Sequence, residues 1–113
     1  RQSQSITFFT SAAYTGDAGS TSYEVGEFTE AVALLDITAV SGTSPTMDLK
    51  AQVNADNGST WFDLTDGAFT QKTATGQTAL KLTNFGKYLR FYQDIGGTAT
   101  PTFTFSLTVV LKN

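Results

Sequence analysis

The sequence has no cysteine and no histidine in its 113 residues, and only one methionine, one tryptophan and two prolines. Lack of cysteine excludes a disulfide framework, a thiolate metal site and a thiol nucleophile. Lack of histidine removes the usual general base near neutral pH and the commonest zinc ligand. Charge is scarce as well. Only 15% of the residues are charged and the net charge is −3, which argues against a protein built to coat nucleic acid. A surface so poor in lysine and glutamate is weakly protected against association, so much of it is expected to lie against other subunits. No apolar run approaches the ~20 residues of a membrane-spanning helix.

Threonine and phenylalanine are abundant instead, with 20 Thr and 9 Phe. Both favour the pleated, half-buried surface of a strand. The length suits one small domain, for which area scaling gives about 6,000 Å² exposed when folded against about 17,500 Å² unfolded. That is one core and no more.

The hydrophobic period is close to two almost throughout. Phe103, Phe105, Leu107, Val109 and Leu111 alternate with Thr102, Thr104, Ser106, Thr108 and Val110, which places five apolar side chains on one face. Met47, Leu49, Ala51 and Val53 alternate with Asp48, Lys50, Gln52 and Asn54, and Leu89, Phe91 and Ile95 with Tyr88, Arg90, Tyr92 and Asp94. Residues 30–40 are apolar on both sides apart from Asp36 and Thr38 and fit a central strand, although their Ala and Leu also allow a short helix. Ile6 to Thr10 and Ala79 to Thr83 predict shorter strands, with Tyr23 to Val25 and Thr60 to Leu64 weaker candidates. Asp56-Asn57-Gly58 is a hairpin-turn signal, because Asn and Gly tolerate the positive φ that tight hairpins require. Residues 41–45, Asp66-Gly67, Thr75-Gly76, residues 84–86 and Gly96-Gly97 read as further breaks, and Thr10 to Thr21 as a loose loop. The expectation is an all-β antiparallel sandwich, jelly-roll or immunoglobulin-like, of seven to nine strands. It is a single domain: residues 1–21 an N-terminal strand and loop able to act as an arm, and residues 22–113 the sandwich.

The search for chemistry yields little. Lys50, Lys72, Lys81, Lys87 and Lys112 lie on polar strand faces with no motif around them. Glu24, Glu27 and Glu30 suit an edge or loop, and of the neighbouring Asp63 and Asp66 the second is ordinary turn chemistry before Gly67, so neither set reads as a hydrolytic carboxylate pair. The run Asn54 to Ser59 departs from a calcium loop, since its Gly comes one residue early and Thr65 stands where the terminal Glu belongs. No catalytic, metal or cofactor residue is assigned, and the chain is expected not to be an enzyme.

Aromatic residues are the remaining signal. Tyr88, Arg90 and Tyr92 share one strand face, with Tyr14 and Tyr23 as further candidates for a partner interface. The same stripe also suits packing inside the sandwich, or stacking on a sugar or base, although base stacking would lack its basic groove. Trp61 and Phe62 follow the hairpin turn, so one is expected in the core and the other outside.

Longer phrases add a resemblance. Residues 39–46 read Ala-Val-Ser-Gly-Thr-Ser-Pro-Thr and lead into Asp48-Leu49-Lys50, then Asn57-Gly58-Ser59-Thr60-Trp61-Phe62-Asp63-Leu64. Leu80-Lys81-Leu82-Thr83-Asn84-Phe85-Gly86-Lys87-Tyr88-Leu89-Arg90 follows. Together they resemble a group of small virion proteins of tailed bacteriophages, over residues 30–112. The departures are Asn57-Gly58 for Asp-Gly, Phe62 for Tyr and Lys87 for Arg. The resemblance implies a non-enzymatic structural protein of the particle, decorating or cementing the capsid by binding the major capsid protein lattice. It implies location in the virion after assembly in the bacterial cytoplasm, no cofactor, no nucleic acid, no membrane, and a homo-oligomer, a trimer being one form. A tail, neck or fibre component and a carbohydrate-binding sandwich with a glycan ligand remain the alternatives.

Overall fold

The structure, a computed structural model, describes residues 3–55, 60–83 and 87–112. The described residues form seven antiparallel strands: β1 (Ser3–Tyr14), β2 (Ala18–Gly19), β3 (Tyr23–Glu24), β4 (Glu30–Asn54), β5 (Phe62–Ala68), β6 (Gly76–Thr83) and β7 (Tyr88–Lys112). The all-β antiparallel expectation holds, for the reason the alternation gave. Each strand must present one apolar face to a core, and a period of two does so only in an extended chain.

The frame is a ribbon of β4 and β7, each 25 residues long and paired with the other from Glu30↔Lys112 to Asn54↔Tyr88. A straight strand of that length would span about 80 Å. The molecule's longest extent is 44 Å. The ribbon therefore bends back on itself. The bend falls where the register shifts, between Ser41 and Thr43 and between Thr43 and Thr46, opposite Gly96 to Thr102. Positive φ values cluster there, at Gly42 (107°), Ser44 (48°), Gly97 (127°), Ala99 (58°) and Thr100 (54°). A Cβ on Gly42 would lie 2.7 Å from the Pro101 Cα, so only glycine lets the two strands cross so closely.

Residues 41–45 and Gly96-Gly97 thus differ from expectation in one respect. They bend the chain without ending a strand, because bulges re-aim a ladder while Thr43↔Thr98 keeps it paired. What reads as four strands is two.

Bending divides the sheet into two facing layers. In the first, β1 pairs the C-terminal half of β7 and β6 pairs the N-terminal half of β4. In the second, β2 and β3 pair the N-terminal half of β7 and β5 pairs the C-terminal half of β4. Phe103, Phe105, Leu107, Val109 and Leu111 are all fully buried on the inner side of the first layer, as the alternation predicts. Leu89, Phe91, Met47 and Leu49 answer them from the second. Phe8 of β1 meets the Phe91 ring edge to face at 5.0 Å, across the gap between layers. The accessible surface, 5958 Å², agrees with the area expected of a compact monomer of this size.

Three local expectations are corrected. Asp66-Gly67 is not a turn but part of β5; a Cβ on Gly67 would come within 2.9 Å of the Leu64 Cβ, so this glycine permits close approach. Thr10 to Thr21 is more ordered than a loose loop: β1 runs to Tyr14, β2 follows, and the Ser20 amide donates to the Phe91 carbonyl oxygen at 2.7 Å. Neither Trp61 nor Phe62 enters the core. Trp61 is half-buried on the outer face and Phe62 is 63% exposed, because β5 is an edge strand with no described strand beyond it.

Candidate interaction surface

The outer face of the second layer carries the densest set of polar and aromatic side chains. Alternation in β4 turns Asp48, Lys50 and Gln52 outward, since Met47, Leu49 and Ala51 take the core. Alternation in β7 does the same for Tyr88, Arg90, Tyr92 and Asp94, opposite buried Leu89, Phe91, Gln93 and Ile95. Register brings the two rows together as Asn54↔Tyr88, Gln52↔Arg90, Lys50↔Tyr92 and Asp48↔Asp94. β5 adds Asp63 beside Gln52.

These side chains form one connected network. The Arg90 Nε donates to the Gln52 Oε1 at 2.9 Å, and the Gln52 Nε2 donates to the Asp63 Oδ1 at 3.1 Å. The Lys50 Nζ donates to the Asp63 Oδ2 at 3.0 Å. The Arg90 guanidinium sits 4.7 Å from the Trp61 ring centroid and 5.9 Å from that of Tyr92, while the Lys50 Nζ is 6.0 Å from Tyr92. Both cations thus rest over aromatic faces, each contact worth about 0.5–1 kcal/mol at an exposed site. Gly19, the Tyr92 partner in β2, leaves the room; a Cβ there would lie 2.9 Å from an Arg90 terminal nitrogen. Hydrogen bonds from Gln52 and then from Lys50 hold the Asp63 carboxyl below its ordinary pKa.

At the far end of the same rows the charges are all of one sign. Asp48 and Asp94 are direct cross-strand partners, and a hydrogen bond with Asp17, reinforced by its charge, pushes the Asp94 carboxyl above its ordinary value. The Gln71 Nε2 donates to both Asp48 oxygens, at 3.3 and 3.1 Å, and the Ile95 amide donates to the Asp17 Oδ1 at 3.1 Å. The acidic end is therefore tied into the fold by donors.

Of the five aromatic and arginine candidates, three share this face: Tyr88, Arg90 and Tyr92, all half-buried. Tyr14 and Tyr23 lie elsewhere. The Tyr14 ring packs on Phe105 at 4.8 Å and on Phe9 at 5.3 Å, with its hydroxyl donating to the Thr10 carbonyl oxygen at 2.9 Å. Tyr23 packs edge-on against Phe8 at 5.1 Å. Both seal the rim of the core. The expected turn residues Asp56, Asn57 and Gly58 lie outside the described residues, although the flanking strands pair antiparallel at Val53↔Phe62.

Lys50, Gln52, Asp63 and Trp61 complete the face; the sequence singled out Lys50, Asp63 and Trp61 separately, and nothing in it joined them to the Tyr88, Arg90, Tyr92 row. Their alternation marks a wet side; that they meet Arg90 follows only from cross-strand register. Chemically the face offers two cations on aromatic rings, a carboxylate between donors and a hydroxyl-bearing rim. That is equipment for contact over an area.

No family model and no curated protein matches the sequence. Among solved structures, the fold is similar to the crystal structure of the SPBc2 prophage-derived protein YomS, with a TM-score of 0.55 and 17% sequence identity. The likeness covers 97% of this chain and 92% of that one, so it extends over the whole bent-ribbon architecture.

Proposed function

We propose that this chain is a non-enzymatic structural protein of a bacteriophage particle, decorating or cementing the capsid through contacts with the major capsid protein. The observation that carries this reading is the fold shared with a prophage-derived protein over 97% of the chain. The likeness of residues 30–112 to small virion proteins of tailed phages points the same way. The geometry is suited to the task. A cement protein needs a rigid small core and broad faces that gain affinity from many modest contacts repeated by symmetry. The Trp61, Arg90, Tyr92 and Lys50 face supplies residue types enriched at interfaces, already held in place by Gln52 and Asp63.

Sugar stacking is the weaker reading, because the Arg90 guanidinium already covers one face of Trp61. The test is the composition of particles purified from the strain that encodes the chain, by quantitative mass spectrometry and cryo-electron microscopy. The expected result is this protein at a fixed ratio to the major capsid protein, with Tyr88 and Tyr92 toward the lattice. The double substitution Tyr88→Ala, Tyr92→Ala should reduce that ratio while leaving the melting temperature of the free protein nearly unchanged. Absence from the particle, or density confined to the tail, overturns the capsid assignment.

A further inference from the structure

The free edge of β6 is suited to pair with another strand, and we infer that it pairs with β6 of a second copy of this chain about a two-fold axis midway between the two Ala79 residues. Three observations carry this.

The first is regularity. Sheet edges that must stay single are interrupted by bulges, prolines or very short strands, because a straight edge is a template for pairing. β1 has two register shifts, β5 has one, and β2 and β3 are two residues each. β6 has none of these devices; its one charged residue is the exposed Lys81, an edge lysine that a partner strand has to match. It pairs β4 on one side without a shift from Glu30↔Thr83 to Ile37↔Gly76, and it contains no proline. It is the long, straight and uninterrupted edge among the described strands.

The second is an apolar surface beside that edge. Leu34, the cross-strand partner of Ala79, is 44% exposed. It stands in a groove of about 410 Å³ lined by Leu34, Leu35, Asp36, Gln77, Thr78 and Ala79. The groove faces outward, with one wall supplied by β6 itself.

The third is charge, and it selects both the partner and the register. On the outer side of β6 the order is Gln77, Ala79, Lys81, flanked on β4 by Asp36, Leu34 and Val32. Asp36 and Lys81 form no ion pair with any described residue. A second copy aligned antiparallel with Ala79 opposite its own Ala79 places each Lys81 opposite the other copy's Gln77. Each Lys81 then lies two strand spacings, about 10 Å between Cα atoms, from the other copy's Asp36, which a lysine side chain spans. The two-fold makes this pair twice. Between the two pairs, Leu34 and Ala79 of one copy continue into Ala79 and Leu34 of the other, closing the apolar groove. Sliding the strands by two residues sets Lys81 against Ala79 and loses both pairs. The result is an isologous interface, self-complementary as a closed dimer requires. It leaves the Trp61, Arg90 and Tyr92 face free, and it stands whether or not the capsid reading does.

Because the chain has no cysteine, one introduced thiol reports the geometry directly. Directly opposed residues of an antiparallel pair have Cα atoms about 4.5–5.5 Å apart, within disulfide range. Under mild oxidation Ala79→Cys should give mainly the disulfide-linked dimer. Gln77→Cys, whose two copies would lie about 14 Å apart, should stay monomeric. Equal cross-linking of both variants, or none of Ala79→Cys, overturns the proposal.

Light scattering of the unmodified protein should show a concentration-dependent dimer. A trimer, or a monomer at every concentration reached, also overturns it. Asp36→Lys and Lys81→Asp should each weaken dimerisation roughly tenfold, and the double swap should restore it. Failure of the double swap to restore the dimer, with circular dichroism showing a folded protein, rejects the charge-selected register.

Discussion

The rings of Phe8 and Phe91 meet edge to face, centroids 5.0 Å apart at an interplanar angle of 72°. Phe8 comes from the first strand and Phe91 from the last, so the contact pins the two layers that the bent ribbon creates. Both rings are buried. Phe91→Ala should cost about 3–5 kcal/mol, the range for removing a buried aromatic. A denaturant titration checks it through the midpoint at unchanged slope.

The same contact alters what truncation should do. Read as an arm, residues 1–10 would be dispensable for folding. In the structure they hold Phe8 and Phe9, both in the core, and most of the β1 residues that pair with the C-terminal half of β7. Their deletion should abolish cooperative thermal unfolding. A truncated chain that melts as sharply as the full one would show that β1 is peripheral.

The bend offers a pair of opposite substitutions. Gly97 has φ of 127°, and a Cβ there would lie 3.0 Å from the Pro45 Cα and from the Ser44 carbonyl oxygen. Gly97→Ala should therefore destabilise by about 1–3 kcal/mol. Ala99 is a non-glycine residue at φ of 58°. Ala99→Gly should be neutral or stabilising by up to about 1 kcal/mol, since the left-handed penalty it removes exceeds the entropy it adds. Thermal melts of the two variants should move in opposite directions or, for Ala99→Gly, stay level.

Two carboxylates should respond to pH with opposite signs. Asp63 is held below its ordinary pKa by Gln52 and Lys50. It stabilises the fold above about pH 4, the unfolded carboxylate range, and that contribution is lost as pH falls through the folded value. Asp63→Asn should lower stability at pH 7 by at most about 1 kcal/mol, as for an exposed pair, with the difference from the parent vanishing at the acid end.

Asp94 is pushed up by Asp17, with Asp48 adding repulsion and Lys50 opposing it. Its favourable contribution is present below about pH 4 and is lost as pH rises through the folded value. At neutral pH the like charges remain opposed, at a cost of a few tenths of a kcal/mol to about 1 kcal/mol. Asp94→Asn should raise the melting temperature at pH 7 and lose that advantage in acid. A scan of melting temperature against pH for the parent and both variants separates the two effects.

Composition and a period of two were enough to establish an all-β chain, and the five apolar residues from Phe103 to Leu111 were legible as a core face because alternation is a local property. Tyr88, Arg90 and Tyr92 were legible as one outward row for the same reason. Tyr14 and Tyr23 were not placed by alternation, because a half-buried tyrosine at a core rim and one at an interface have the same local pattern. The tertiary structure alone decided that Gly42 and Gly97 bend a continuous ribbon, since a bulge and a turn use the same residues and differ only in whether pairing continues. It alone joined Arg90 to Gln52, Asp63 and Trp61, and left β6 as the straight edge. Cross-strand register sets those relationships, and register comes from the packing of distant segments against one another.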